Sequence, residues 1–174
     1  MLKILTATLL PVLFLAGCER YSSLPQCSSV LDMGTPVAMV LDAQGSALDA
    51  QEGLRWYRCS AGQRFSNEQC VGEALHMSRQ EALDYATEFA ARAGQAWRLP
   101  SLDEVKTLKQ TQCHNPAIDT RIFPSILVTN YWTSSTSRRG KSMGCSTYTF
   151  NGNTTCKELA SQKLPFLLVM DAAP

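Results

Sequence analysis

The chain has little with which to hold a metal ion. Only two of its 174 residues are histidine, His76 and His114, and no two of its seven cysteines form a C-x-x-C pair. Without that pair or a Cys/His ladder at zinc spacing, neither a structural metal site nor a cofactor is expected. A surplus of charge is missing as well. Lysine and arginine total 16 against 15 for aspartate and glutamate, so the strong positive field that non-specific nucleic-acid binding needs is absent, and no nucleic-acid partner is expected. Long apolar runs are also missing: Ile4 to Leu15 is too short to span a bilayer as a helix and contains Pro11. Catalysis by a Cys-His couple is not expected, because Cys113 and His114 are sequence neighbours whose side chains diverge in an extended loop. Glu81 and Glu104 have roles at helix starts, described below, so no catalytic residue is assigned.

What the chain does have begins at its N-terminus. Lys3 supplies a positive segment, Ile4 to Leu15 an apolar one, and Leu15-Ala16-Gly17-Cys18 a small-residue run ending in cysteine. This is the pattern of a removable secretory signal, and the run into Cys18 resembles the lipobox of bacterial lipoproteins. The implied plan is a signal peptide over 1–17, a tether over 18–35 and a single domain over 36–174, with Cys18 carrying the lipid (palmitate included) that fixes the protein to a membrane. Glu19 stands where an Asp commonly marks inner-membrane retention, so the outer membrane of the envelope is favoured, with either face open. Lys3 is the only charge lost with the signal, leaving 15 basic and 15 acidic residues. Ser22, Ser23, Pro25, Ser28 and Ser29 give residues 19 to 35 a tether's composition. If Cys27 is paired, the free leash shortens to about eight residues, or about 25 Å at full extension.

With Cys18 assigned to lipid, an even set remains: Cys27, Cys59, Cys70, Cys113, Cys145 and Cys156. In an exported chain such a set reads as disulfides. A length of about 157 residues after the signal fits one domain with one core.

The clearest local grammar lies mid-chain. Ser78-Arg79-Gln80-Glu81 is a capping box, Ala82, Tyr85, Ala86, Phe89, Ala90 and Ala93 follow at helical spacing, and Gly94 suits a left-handed C-terminal cap. A helix is predicted over 79–93. Ser101-Leu102-Asp103-Glu104 is a second box, with Val105 and Leu108 on one face, predicting a shorter helix to about 110. Strands are expected at Pro36 to Leu41, Leu54 to Arg58, Tyr131 to Ser135 and on both sides of Asn151-Gly152, a strong hairpin signal. Phe166 to Met170 is apolar throughout and reads as a strand buried on both faces. Two adjacent helices flanked by strands from both chain ends indicate an α+β domain.

Five motifs in order then resemble one family. Leu54-x-Trp56-x-Arg58-Cys59-x-x-Gly62-Gln63, Cys70-x-Gly72, Trp97-Arg98-Leu99-Pro100-Ser101-x-x-Glu104, Phe123-Pro124 and Tyr131-Trp132-Thr133-Ser134-Ser135 are similar to the signatures of the Lcl C-terminal domain family, over roughly residues 45 to 172. The resemblance implies a C-type-lectin-like fold, with two helices beside a small antiparallel sheet. It also implies an exported protein without assigned enzymatic activity, and the collagen-like adhesin that names the family binds sulfated polysaccharides. The calcium-dependent lectin patterns Glu-Pro-Asn and Trp-Asn-Asp are not matched; the nearest strings are Asn115-Pro116-Ala117 and Asn130-Tyr131-Trp132.

Candidate ligand contacts follow from residue chemistry. Trp56, Trp97 and Trp132 offer faces on which sugars stack, although large aromatics usually fill small-domain cores; Trp132 is retained as a candidate. Arg98 is expected to organise loop carbonyls or a carboxylate. Arg138, Arg139 and Lys141, in a polar loop after Trp132, form the concentrated basic segment and suit an anionic polymer.

Among the cysteines, Cys59 and Cys70 enclose a short loop whose closure stabilises by about 2 to 3 kcal/mol. Cys145 and Cys156 flank Asn151-Gly152, but a two-residue turn there places Thr147, not Cys145, opposite Cys156, so this pair requires another turn register or frayed strand ends. Cys27 with Cys113 follows by elimination. The expected function is a lipid-anchored, non-enzymatic binding or adhesion module presenting a loop face to a glycan or protein. Two alternatives stand beside it: an inhibitor or immunity-type lipoprotein that blocks an exported toxin or hydrolase, and a structural component of an envelope, pilus or secretion assembly.

Overall fold

A computed structural model describes residues 24–31, 34 and 36–172 of the chain. The signal over 1–17, lipidation at Cys18 and the Glu19 reading lie outside the described residues. In chain order the elements are α1 (Cys27–Leu31), β1 (Val40–Leu41), β2 (Ser46–Asp49), β3 (Leu54–Tyr57), β4 (Arg64–Ser66), β5 (Gln69–Val71), α2 (Arg79–Ala93), α3 (Leu102–Thr107), β6 (Asn130–Thr136), β7 (Met143–Tyr148), β8 (Asn153–Leu159) and β9 (Val169–Asp171). The strands make antiparallel sheets in the orders β1-β2-β3-β9, β4-β5 and β6-β7-β8. The fold is α+β.

Both helix starts close as capping boxes. Ser78 accepts from the Glu81 backbone N–H while the Glu81 carboxylate accepts from the Ser78 N–H, and Ser101 and Glu104 repeat the exchange. Each box satisfies donors that a helix start leaves unpaired. Helix α2 covers 79–93 as predicted and ends at Gly94 with φ of 63°, a conformation in which a Cβ would be strained. Helix α3 stops at Thr107, short of the expected 110. Beyond Leu108 the Gln110 N–H bonds to the Ala117 carbonyl at 3.0 Å, and this loop contact replaces the next helical turn.

Residues 164–169 decide the layering. Their side chains alternate, Leu167 and Val169 entering a cluster with Trp56, Phe123 and Tyr131, and Leu164, Phe166 and Leu168 entering one with Ala82, Leu99 and Trp132. The segment is buried on both faces, as its composition demands, yet only Val169–Asp171 joins a ladder. The rest of its backbone is divided among neighbours: Trp132 N–H donates to Pro165, Ala61 N–H to Phe166 and Tyr57 N–H to Leu168. Every buried carbonyl in these contacts finds a donor without a continuous strand.

Three further expectations are corrected. Only Val40 and Leu41 of the 36–41 run form a strand. The tether expected over 18–35 contains α1, whose Cys27 and Leu31 pack with Cys113 while Gln26 pairs with His114. The β7–β8 connection is a four-residue turn, since Tyr148 pairs with Asn153. The register runs through Thr147–Thr154 and Ser146–Thr155 and then shifts before Gly144–Glu158, and at that irregularity the Cα atoms of Cys145 and Cys156 stand 3.8 Å apart, where a two-residue turn would have placed Thr147 opposite Cys156. All three disulfides form: Cys27–Cys113, Cys59–Cys70 and Cys145–Cys156.

Candidate functional site at the basic hairpin tip

The β6–β7 hairpin carries the basic segment on a fastened root. From beneath, the Arg79 guanidinium donates to the carbonyls of Ser134 at 2.5 Å and Ser135 at 3.2 Å. Burial pulls its pKa below the ordinary arginine value, and it remains charged at neutral pH. Gly144 makes room for this arrangement: a Cβ there would stand 2.7 Å from both Arg79 Cδ and the Trp132 ring. Ser135 Oγ accepts from the Leu102 N–H at 2.9 Å, Ser137 Oγ donates to the Cys156 carbonyl at 2.8 Å, and the Ala160 N–H donates to Ser142 at 2.9 Å. Cys145–Cys156 ties β7 to β8 just below.

Above this root the chain turns tightly. Ser137 Oγ accepts from the Arg139 N–H at 3.2 Å, and the Met143 N–H donates to Gly140 at 3.2 Å. Arg138, Arg139 and Lys141 are exposed, and among the described residues their side chains make no hydrogen bond or ion pair. A cation without a carboxylate beside it keeps its full field for another molecule. Three such cations on a braced turn form an anion-attracting tip.

The basic character extends further than the loop. Between residues 134 and 163 the cations are Arg138, Arg139, Lys141, Lys157 and Lys163, and the acid is Glu158 alone. Lys157 is exposed on β8, whereas Lys163 pairs with Glu81. Sequence reading singled out the loop and overlooked Lys157, Lys163 and Arg79. Charge counted over that thirty-residue stretch would have found the first two; Arg79 has no local signal, because its role arises from α2 packing under β6.

The tryptophans do not belong to this site. Trp132 is fully buried, with its indole N–H donating to the Met77 carbonyl at 2.8 Å, so the expectation that it contacts ligand is corrected. Trp56 is equally buried, and Trp97 nearly so, with its indole N–H on Gln95. Arg98 clasps Glu104 through both terminal nitrogens, at 2.9 and 2.7 Å, and reaches Asp171 at 2.7 Å. Burial alone would raise the Glu104 pKa, but the hydrogen bonds from Arg98 and the Ser101 N–H prevail and hold the carboxyl below the usual range. Arg98 therefore joins α3 to β9, as the carboxylate reading expected.

His76 is exposed, with Nδ1 3.0 Å from the Ala74 carbonyl, and His114 packs edge-on against Phe150. Cys113 is disulfide-bonded, so no free thiol stands beside His114. Among the described residues no group of three or more His, Cys, Asp or Glu is placed to hold a metal ion. A cavity of about 110 Å³ is lined in part by Asp49, Glu52 and Asp119. Its buried carboxylates are already engaged, Asp49 by the N–H groups of Gln51 and Glu52, Asp119 by Arg121 at 2.9 and 2.7 Å.

Residues 45–170, well over half of the chain, match the family model described as the Lcl C-terminal domain. The chain belongs to the Lcl C-terminal domain family. Comparison with curated proteins and with solved structures finds no match. In this Lcl C-terminal domain the motif residues are frame. Arg58 is buried, donating to the Ile122 and Arg121 carbonyls and stacking 4.4 Å from the Phe65 ring centroid. Arg98 and Glu104 clasp each other, and Tyr131 and Trp132 fill the core. The tip cations lie outside every one of those motifs.

Proposed function

We propose that this protein is a non-enzymatic binding module of the bacterial cell envelope, held to the membrane by a lipid on Cys18, with the outer membrane favoured by Glu19, and presenting the β6–β7 tip to an anionic glycan. The domain is read as C-type-lectin-like. That reading is supported by two helices beside small antiparallel sheets, by β3 paired with β9 so that early and late segments close the domain, and by the long connection from Leu108 to Thr129.

The observation that carries the binding role is the set Arg138, Arg139 and Lys141, solvated and uncompensated on a braced hairpin. On a chain with net charge +1, attraction for a polyanion has to be local, and here it is. Sulfated or phosphorylated polysaccharide matches the repeated negative charge such a tip attracts.

The test is retention on immobilised heparin at low salt. Replacing Arg138, Arg139 and Lys141 together with Ala should lower the eluting salt concentration markedly while leaving thermal stability within about 0.5 kcal/mol, because exposed residues without partners contribute little to folding. Unchanged retention would end the proposal. Capture of one stoichiometric exported protein with no glycan bound would replace it with the inhibitor or immunity-type reading.

A further inference from the structure

The end of the β6-β7-β8 sheet opposite the basic tip carries an exposed aromatic and apolar patch. Tyr148 and Phe150 stack with ring centroids 5.8 Å apart and planes 22° from parallel, and the His114 ring packs against Phe150 at 5.0 Å. Leu127 and Val128 lie alongside, because Thr149 bonds the Leu127 carbonyl at 2.6 Å and the Thr129 carbonyl at 3.0 Å. Leu127, Val128 and Tyr148 are 37, 44 and 39 % exposed. Leu24, Lys109 and His114 line a shallow cavity of about 190 Å³ beside them. The patch is therefore continuous with the point where the N-terminal segment enters the domain.

That point is firmly held. Gln26 pairs with His114, His114 N–H donates to the Pro25 carbonyl at 3.0 Å, and Cys27 is bridged to Cys113. From Cys18 to Leu24 the chain reaches at most about 20 Å, whereas a domain of this length is about 40 Å across. An anchor at Cys18 cannot pass around the body, so the surface around Leu24 has to face whatever holds Cys18.

We infer that the Leu127, Val128, Tyr148 and Phe150 face rests on the bilayer surface and points the basic tip away from it. The inference rests on the lipid anchor of the proposed function. Tyrosine favours the membrane–water boundary, where its ring is apolar and its hydroxyl wet, and exposed aliphatic side chains gain by entering the headgroup region. The acyl chains then set only the tether, and the patch sets the orientation. Tip and patch lie at opposite ends of the same strands, so seating one presents the other.

The experiment places a fluorescent reporter at each end of the full chain, expressed in a bacterium and reconstituted into vesicles of phosphatidylethanolamine and phosphatidylglycerol with brominated acyl chains. The three native tryptophans are buried and supply a constant background, subtracted with the parent protein. Tyr148→Trp should shift to the blue and lose most of its added emission on reconstitution, and Arg139→Trp should do neither. Should Tyr148→Trp fail to fold, Val128→Trp reports the same face. Protein lacking acyl mass at Cys18 and absent from sedimented vesicles would overturn the anchor, and this inference with it. Acylated, vesicle-bound protein whose patch reporter is as unquenched as the tip reporter would overturn the orientation alone. A blue shift that appears without lipid and grows with protein concentration would assign the face to a second copy and also overturn it.

Discussion

At one end of the β6-β7-β8 sheet the backbone is tied to neighbouring segments; at the other, three charged side chains have no partner among the described residues. Around the β7–β8 turn, Thr149 serves two carbonyls, the Asn115 and Ala117 N–H groups donate to Phe150 and Thr149, and the Cys27–Cys113 bridge adds a covalent tie. The β6–β7 end is secured only up to its root, by Arg79, Ser137 and Cys145–Cys156. The same three strands thus end in a fastening and in a display. A side chain that the fold does not use is available to another molecule, and this is why the tip, and not the family motifs, is the place to look for binding.

Removing each end's covalent tie should separate them most strongly. The Cys27–Cys113 bridge closes a sequence separation of 86 and Cys145–Cys156 one of 11. On the chain-entropy account their loss costs about 4 to 5 and about 3 kcal/mol respectively. Denaturant unfolding of the two double Cys→Ser variants should show that order. Heparin retention should respond the other way, falling more in Cys145→Ser/Cys156→Ser, whose loss loosens the hairpin root. Equal loss of retention in both variants would mean that the two ends are one mechanical unit.

The Arg98–Glu104 clasp belongs to neither end and tests whether stability and binding separate. Glu104→Ala removes an N-cap partner of Ser101 and leaves Arg98 only Asp171, which should cost about 1 to 3 kcal/mol. Heparin retention of the protein that remains folded should be unchanged. Because the folded Glu104 pKa lies below its unfolded value, its contribution is present above the ordinary carboxylate range and is lost as pH falls through the lower folded value. Stability of the parent should therefore decline below about pH 4.5 more steeply than that of Glu104→Gln, measured by unfolding free energy at successive pH values.

What was legible in the sequence was local or periodic. The two capping boxes lie within four residues, so Ser78 with Glu81 and Ser101 with Glu104 foretell their helices without tertiary help. Apolar content foretold that 166–170 is buried on both sides; it could not foretell that the backbone would be shared among Trp132, Ala61 and Tyr57, since those donors arrive from β6, from the loop after β3 and from β3 itself, all distant in sequence. Asn151-Gly152 marked the right turn and the wrong length, because Thr149 prefers the Leu127 and Thr129 loop to a ladder partner. The basic loop was visible as composition. Its brace, Arg79, was not, and Trp132 was misplaced because sequence shows a flat aromatic face without showing whether it is covered.

The smallest expected effect has the opposite sign from the others and sharpens the comparison most directly. Glu81 is exposed, and its pKa is lowered to about 2, chiefly by its hydrogen bond with Lys163 and then by Ser78. Its carboxylate therefore offsets one cation, Lys163, whose chain neighbourhood reaches the tip through the Ala160 to Ser142 bond. Glu81→Gln keeps the side chain's size and removes that offset at neutral pH, so retention on heparin should rise slightly, where the tip alanines lower it. The same change should flatten a small part of the acid dependence between about pH 4.5 and about pH 2, since a depressed carboxyl contributes above its unfolded pKa and loses that contribution on the way down. Retention that stays the same in Glu81→Gln would confine the binding surface to Arg138, Arg139 and Lys141. A rise would extend it across Lys163, and so along the whole tip-side face of the domain.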